Sequence, residues 1–163
     1  MSDYFFDTSA LVKAYIAETG TAWVRTILDD VQHRIWISAL TKVEVIAALT
    51  RRFRGGDLTQ QQLSQPSGDA LQDCADLLAV PVLPNILDRA VVLAERHNLR
   101  AYDALQLATA MEARDALLTN STSPIGFTLV SADVDLNQAA PTGRFRSSAY
   151  HNVFRISSFA GVK

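Results

Sequence analysis

Short, almost continuously apolar runs alternate along this chain with stretches of helical periodicity, and that alternation narrows the possible folds more than any other property. The runs fall at 4–6, 34–37, 80–83 and 127–130, the first of them Tyr4-Phe5-Phe6 and the last Phe127-Thr128-Leu129-Val130. Between them, apolar residues recur at helical spacing over 10–17, 21–31, 40–53, 69–79, 86–97, from Asp103 to about Glu112, and over 134–140. Strands so short and so apolar are covered on both faces, and strands that alternate with helices pair in parallel. The pattern therefore predicts an α/β fold with a central parallel sheet between helices. Gly55-Gly56 is expected to stop one helix, Ser64-Gln65-Pro66-Ser67-Gly68 to interrupt another, and Asn85 to cap the helix over 86–97.

With 163 residues, 48% of them apolar, the chain suits one domain with a substantial core. Regular alternation ends at Pro141-Thr142-Gly143, which divides a body at 1–140 from a tail at 141–163. The charge is uneven across that division. All 17 acids lie in the body, whereas Arg144, Arg146, Arg155 and Lys163 give the tail a positive charge against a net charge of −2 for the whole chain. The tail can be read as an edge strand, a docking arm or a disordered extension. Net charge neither announces a nucleic-acid binder nor excludes one. Cys74 is the only cysteine, so no intrachain disulfide is possible. The N-terminus has no basic segment leading into an apolar stretch, and no apolar run approaches the roughly 20 residues of a membrane span. A cytoplasmic protein with no signal peptide and no transmembrane helix is expected.

Four acids occupy related places in this alternation. Asp7 stands where the first apolar run hands over to a helix, Glu44 lies in the helix after the second run, Asp103 opens Tyr102-Asp103-Ala104-Leu105-Gln106-Leu107-Ala108, and Asp133 closes the last run. Each has a plainer reading. Asp7, Ser9, Asp103 and Asp133 are all residue types that cap helix N-termini, and Glu44 can lie on the polar side of an amphipathic helix. A parallel sheet, however, brings the carboxyl ends of its strands to one edge, where ligand sites form. Carboxylates gathered there repel one another and call for a cation. With no Cys or His close in sequence, the donors are all oxygen and suit Mg²⁺ or Mn²⁺. Such a centre can hydrolyse a phosphodiester with activated water, without a Ser or His nucleophile. His33, His97 and His151 show no ligand spacing.

Taken together, Asp7-Thr8-Ser9-Ala10, the Glu44 helix, the Asp103 segment and Ser131-Ala132-Asp133 resemble the PIN-domain ribonucleases, in particular the VapC toxins of type II toxin–antitoxin modules. The resemblance runs over about residues 3–140. It implies an α/β/α sandwich, dependence on Mg²⁺ or Mn²⁺, endonucleolytic cleavage of RNA, a homodimer, and inhibition by a small cognate antitoxin that blocks the acidic site. On the family's pattern Asp7, Glu44, Asp103 and Asp133 are the metal-binding and catalytic positions, with Asp135 near enough to share the role of Asp133. Ser9 and Ser131 are expected to orient water or substrate phosphate.

Two other readings compete. A strand-end Asp is also the nucleophile of haloacid dehalogenase-type phosphotransferases, but their second Asp, two positions on, is here Ser9. A PIN-like module could instead hold RNA or a partner without cutting. Beyond the acids, Arg51-Arg52-Phe53-Arg54 could grip RNA phosphates or simply complement a helix C-terminus. Lys13 could meet substrate or be a surface lysine. Trp23 and Trp36 read as core or dimer-contact residues, and Cys74 as packing.

Overall fold

The computed structural model describes residues 2–57, 59–120, 126–140 and the backbone of a strand at Val153–Ser157. Five strands form one sheet: β1 (Ser2–Phe6), β2 (His33–Ser38), β3 (Leu78–Val80), β4 (Gly126–Val130) and β5 (Val153–Ser157). Their order is β3-β2-β1-β4-β5, and every pair is parallel. β1 lies centrally, with Phe5 opposite Trp36 on one side and Leu129 on the other. The chain leaves β1 first toward β2 and β3 and later returns to β4, so the order in which strands are added reverses between the parallel neighbours β1 and β4. A crevice opens at the carboxyl ends of strands at such a reversal.

Seven helices are described: α1 (Thr8–Leu11), followed by a 3₁₀ turn at Val12–Ala14, α2 (Thr21–Leu28), α3 (Thr41–Arg54), α4 (Gln60–Asp76), α5 (Pro84–His97), α6 (Ala101–Thr119) and α7 (Val134–Ala139). They cover both faces. Successive side chains of a strand point to opposite faces. Phe5, Phe127 and Leu129 accordingly pack with Ile86, Leu93 and Leu107 of α5 and α6, while Phe6, Ile35 and Ile37 pack with Leu11, Val24, Val45 and Leu49. This is the expected three-layer α/β/α arrangement. Cys74 is buried in the second cluster, as a packing residue.

The interruption expected at Pro66 is absent, since α4 runs continuously from Gln60 to Asp76 with Pro66 inside it. A mid-helix proline costs about 3 kcal/mol. Opposing that cost is a capping box, in which the Gln62 N–H donates to Thr59 Oγ1 and the Thr59 N–H to Gln62 Oε1. Leu63, Ala70, Cys74 and Leu77 add an apolar stripe packed in the second core cluster. Asn85 is not a cap either. The N-cap of α5 is Leu83 with Pro84 in the first turn, where its missing N–H costs nothing, and Asn85 reaches Glu112 on α6. Asn98, at φ 53°, ends α5 in the left-handed region that asparagine tolerates, and the chain turns into α6. α6 begins two residues before Asp103 and extends to Thr119, seven beyond the expected end. Of the readings open for the tail, the edge strand holds for Val153–Ser157, which extends the sheet beside β4. Residues 121–125 of the turn before β4, and the rest of the tail, lie outside the described residues.

Candidate functional site

Asp7 is the first residue past β1, and its backbone N–H still donates to the Val130 carbonyl, which pins it to the neighbouring strand (3.0 Å). Its side chain caps α1 and is buried, at 4% exposure. Oδ2 receives the Ser9 N–H (3.2 Å), the Ser9 hydroxyl and the Ser131 hydroxyl (2.9 Å). Burial pushes the Asp7 carboxyl above its ordinary range, and these donors oppose the shift without cancelling it.

Both serines act behind Asp7. Ser131 is wholly buried; its hydroxyl donates to Asp7 and accepts the Asp133 N–H (3.0 Å). Ser9 likewise donates to Asp7 and accepts the Ala132 N–H (2.9 Å). Ser131, expected to orient water or phosphate, is fully buried here, with its hydroxyl engaged by Asp7 and the Asp133 N–H. The pair fastens the end of β1 to the loop after β4.

Glu44 lies in the first turn of α3, half-buried, and is anchored from two other elements. Thr8 of α1 donates to its Oε2 at 2.7 Å, and the Gln106 amide of α6 donates to the same oxygen. Burial raises the Glu44 carboxyl, the two donors lower it, and the Asp7 charge adds a further rise. Gln106, itself 2% exposed, also bonds Thr8 (3.0 Å) and Thr41 (3.3 Å). Among the described residues its Oε1 has no hydrogen-bond partner. Thr8, Thr41 and Gln106 were not singled out by sequence reasoning. The available signal was a glutamine in the otherwise apolar Leu105-Gln106-Leu107-Ala108, since a buried amide must find partners.

Asp103 sits in the first turn of α6, not at its cap, which is Arg100. Among the described residues no donor reaches its carboxylate. Burial raises its pKa, repulsion from Asp133, Asp7 and Glu44 adds to that, Arg100 opposes it, and the result is about 6. Asp133 is the N-cap of α7, with Oδ1 accepting the Leu136 N–H at 2.8 Å. The capping reading thus holds for Asp7 and Asp133 and fails for Asp103. Asp133, rather than the exposed Asp135, is the charge that raises Asp103 most.

The fold therefore brings Asp7, Glu44 and Asp133 within electrostatic reach of Asp103, and Asp7 within reach of Glu44, at the carboxyl edge of the sheet. Among the described residues no three acidic, histidine or cysteine side chains form a ready cage for a metal ion. By its chemistry an all-carboxylate donor set suits a hard cation such as Mg²⁺, which binds through one or two carboxylates and keeps several of its own waters. Not every buried acid belongs here. Asp3, at the opposite end of β1, pairs with Arg34 (2.8 Å) and accepts from the Trp36 indole (2.7 Å).

Comparison with known proteins adds to this geometry. Residues 4–140 match the family model described as PIN domain. Over 111 residues the chain is 33% identical to a protein named Ribonuclease VapC45 from Mycobacterium tuberculosis (strain CDC 1551 / Oshkosh), covering 68% of this chain and 76% of that one. Among solved structures, PAE2754 from Pyrobaculum aerophilum superposes with a TM-score of 0.61 at 21% identity, covering 85% of this chain and 80% of its own. VapBC-5 from Mycobacterium tuberculosis, a member of the VapBC family of toxin–antitoxin systems, gives a TM-score of 0.56 at 13% identity, covering 96% and 100%. At such identities the two structures speak to the fold.

Proposed function

The chain belongs to the PIN-domain family, and from that premise we propose that it is a metal-dependent endoribonuclease, the toxin of a toxin–antitoxin pair. The observation that carries the proposal is the meeting of four carboxylates from four separate elements, in a chain 33% identical to a named ribonuclease. Asp7, Glu44, Asp103 and Asp133 would hold Mg²⁺ or Mn²⁺. The bound ion would supply a nucleophilic water near neutral pH and positive charge for the phosphoryl oxygens.

The chain's own residues prepare that chemistry. Ser9 and Ser131 fix the Asp7 carboxylate, and the hydroxyl of Ser131 also holds the Asp133 backbone. Thr8 and Gln106 fix Glu44. Asp103, left without a donor, is the carboxylate with most to gain from a cation. Positions set in this way need no rearrangement during the reaction, which is where preorganised groups lower a barrier.

The substrate in this reading is RNA. The partners are a second copy of the chain and a small antitoxin whose basic side chain, set among the acids, would replace the cation's charge. A solved VapBC structure resembles this fold, and among the described residues no helix is long and apolar enough to cross a membrane. Both fit a cytoplasmic toxin. The deciding experiment incubates cellular RNA with the purified protein in Mg²⁺, Mn²⁺ or EDTA, beside Asp7→Asn and Asp103→Asn, and sequences the new ends. Cuts that need metal and vanish in both variants are expected. Folded, antitoxin-free protein that makes no cut under any condition would instead favour a PIN-like module that binds without cleaving.

A further inference from the structure

We infer that the exposed face of α3 is a backbone track for RNA, with Arg51 and Arg54 gripping phosphates on one side of the acidic site; the inference rests on the ribonuclease reading. The four consecutive residues from Arg51 to Arg54 do not share one role. Arg52 is committed to the fold, because its Nη2 pairs with Glu18 Oε2 at 2.9 Å while Lys13 holds the other oxygen of Glu18 at 3.1 Å. That triad ties α3 to the turn before α2 and also uses Lys13. Arg51 and Arg54 are exposed, and among the described residues neither has an ion-pair or hydrogen-bond partner. Most other body cations are occupied: Arg34 by Asp3, Arg89 and Arg114 by Asp115, Arg25 by the Ala14 carbonyl.

Helix geometry aligns the free pair with the site. Arg51 follows Glu44 by seven residues, almost two full turns, so the two share a face and stand about 10.5 Å apart along the axis. Arg54 lies three residues further and about 60° round the helix from Arg51, on its exposed side. Side chains lean toward a helix's N-terminus, which tips Arg51 back toward Glu44. Ala47 and Ala48 occupy the strip between them, and such small side chains leave the strip low. A helix C-terminus does favour cations, but that accounts equally for Arg52, which is turned away to Glu18. A stacked strand rises about 3.4 Å per nucleotide, so Arg51 would meet a phosphate about three nucleotides from the one at the acids. Four acids at the cleavage point repel a polyanion, and two cations on the approach would supply attraction that the centre lacks.

Each phosphate contact on a single strand steepens the salt dependence of log K by about 0.7, or about fivefold in affinity between 1 M and 0.1 M salt. The test compares Arg51→Ala, Arg54→Ala, the double variant and a double Lys variant in two assays. Anisotropy of a labelled 12-nucleotide RNA, on an Asp7→Asn background that does not cut, reports binding alone. Cleavage by the otherwise unmodified chain is measured on that RNA and on one with only two nucleotides on each side of the cut. The double Ala variant should bind about 25-fold more weakly at 0.1 M salt, with a salt slope shallower by about 1.4. Its KM should rise on the long RNA alone, kcat should hold, and the Lys pair should retain most of the affinity. Unchanged affinity and slope would overturn the track, as would an equal loss on the short RNA. Both RNAs are taken from a site the unmodified chain cuts in cellular RNA; if it cuts no cellular RNA, the ribonuclease reading fails, and the anisotropy series still decides whether the arginines hold RNA.

Discussion

Replacing Asp103 by Asn should make the metal-free protein more stable while abolishing its activity. The carboxyl is raised from an ordinary 3.8 to about 6, first by burial and then by Asp133, Asp7 and Glu44. At about 1.36 kcal/mol per pKa unit, that shift would cost the folded state about 3 kcal/mol if it were fully expressed. The side chain is partly exposed, so screening cuts the cost to about 1.5 kcal/mol, and a first-turn acid recovers about 0.3–1 kcal/mol from the helix dipole. A net gain of about 1 kcal/mol for Asp103→Asn at pH 8 follows, equivalent to about 2–4 °C in Tm for a chain of this length. The sign with pH is fixed. Between 3.8 and 6 the folded protein binds a proton that the unfolded chain does not, so the cost of Asp103 grows with rising pH and is complete above 6. The difference between variant and wild type should halve by pH 5 and nearly vanish by pH 4. Mg²⁺ at 100 times its Kd should stabilise wild type by about 2.7 kcal/mol and reverse the order. Thermal melts at pH 8, 5 and 4 with EDTA or Mg²⁺ provide the measurement. A variant no more stable than wild type at pH 8, or a difference that does not shrink on acidification, would refute the reasoning.

Ser131→Ala removes a buried donor from Asp7 and the acceptor of the Asp133 N–H, so it should cost about 1–3 kcal/mol in urea melts and lower metal affinity measured by calorimetry. Gln106→Leu leaves Glu44 with Thr8 as its remaining side-chain donor but also removes a buried, unpartnered oxygen. Stability should move little, whereas the Glu44 pKa should rise further and carry the acid limb of the pH–rate profile upward; a profile that does not move would show that Gln106 has no hold on Glu44. Arg34→Met strips Asp3 of its ion pair at the far end of β1 and should cost about 1–3 kcal/mol, the solvent-facing side of the arginine tempering the loss. Cleavage per folded molecule should be unchanged, and a fall in kcat would mean that the two ends of the sheet are coupled.

The layers and the strands β1, β2 and β4 were legible because burial on two faces leaves an unbroken apolar run, and Asp7, Glu44 and Asp133 stood out because each follows such a run. β3 lies at Leu78–Val80, two residues earlier than the expected 80–83, because Leu78 and Ala79 are exposed and read in sequence as the end of a helix. Local signals failed where packing overrode them. Pro66 marks a break by backbone chemistry alone, yet Leu63, Ala70 and Cys74 carry one apolar stripe straight past it. Asp103 resembles a cap, but Asn98 turns the chain early enough for α6 to begin at Ala101, and the acid falls inside the first turn. The donors behind the site were hidden for a different reason, since Thr8 and Gln106 stand 98 residues apart and Ser131 stands 124 from Asp7. No periodicity encodes a meeting of that kind. What those meetings create is an unequal site. Asp7 and Glu44 are held by hydroxyls and an amide from other elements, and Asp133 by its own helix, while Asp103 has no hydrogen-bond donor among the described residues and faces three like charges against the single opposing charge of Arg100. A protein selected for stability alone would have given Asp103 a donor. Its absence leaves a deficit that a cation can fill, so the same arrangement that weakens the metal-free fold strengthens the metal-bound one, and the reversal of stability between Asp103→Asn and wild type on adding Mg²⁺ measures both effects in one experiment.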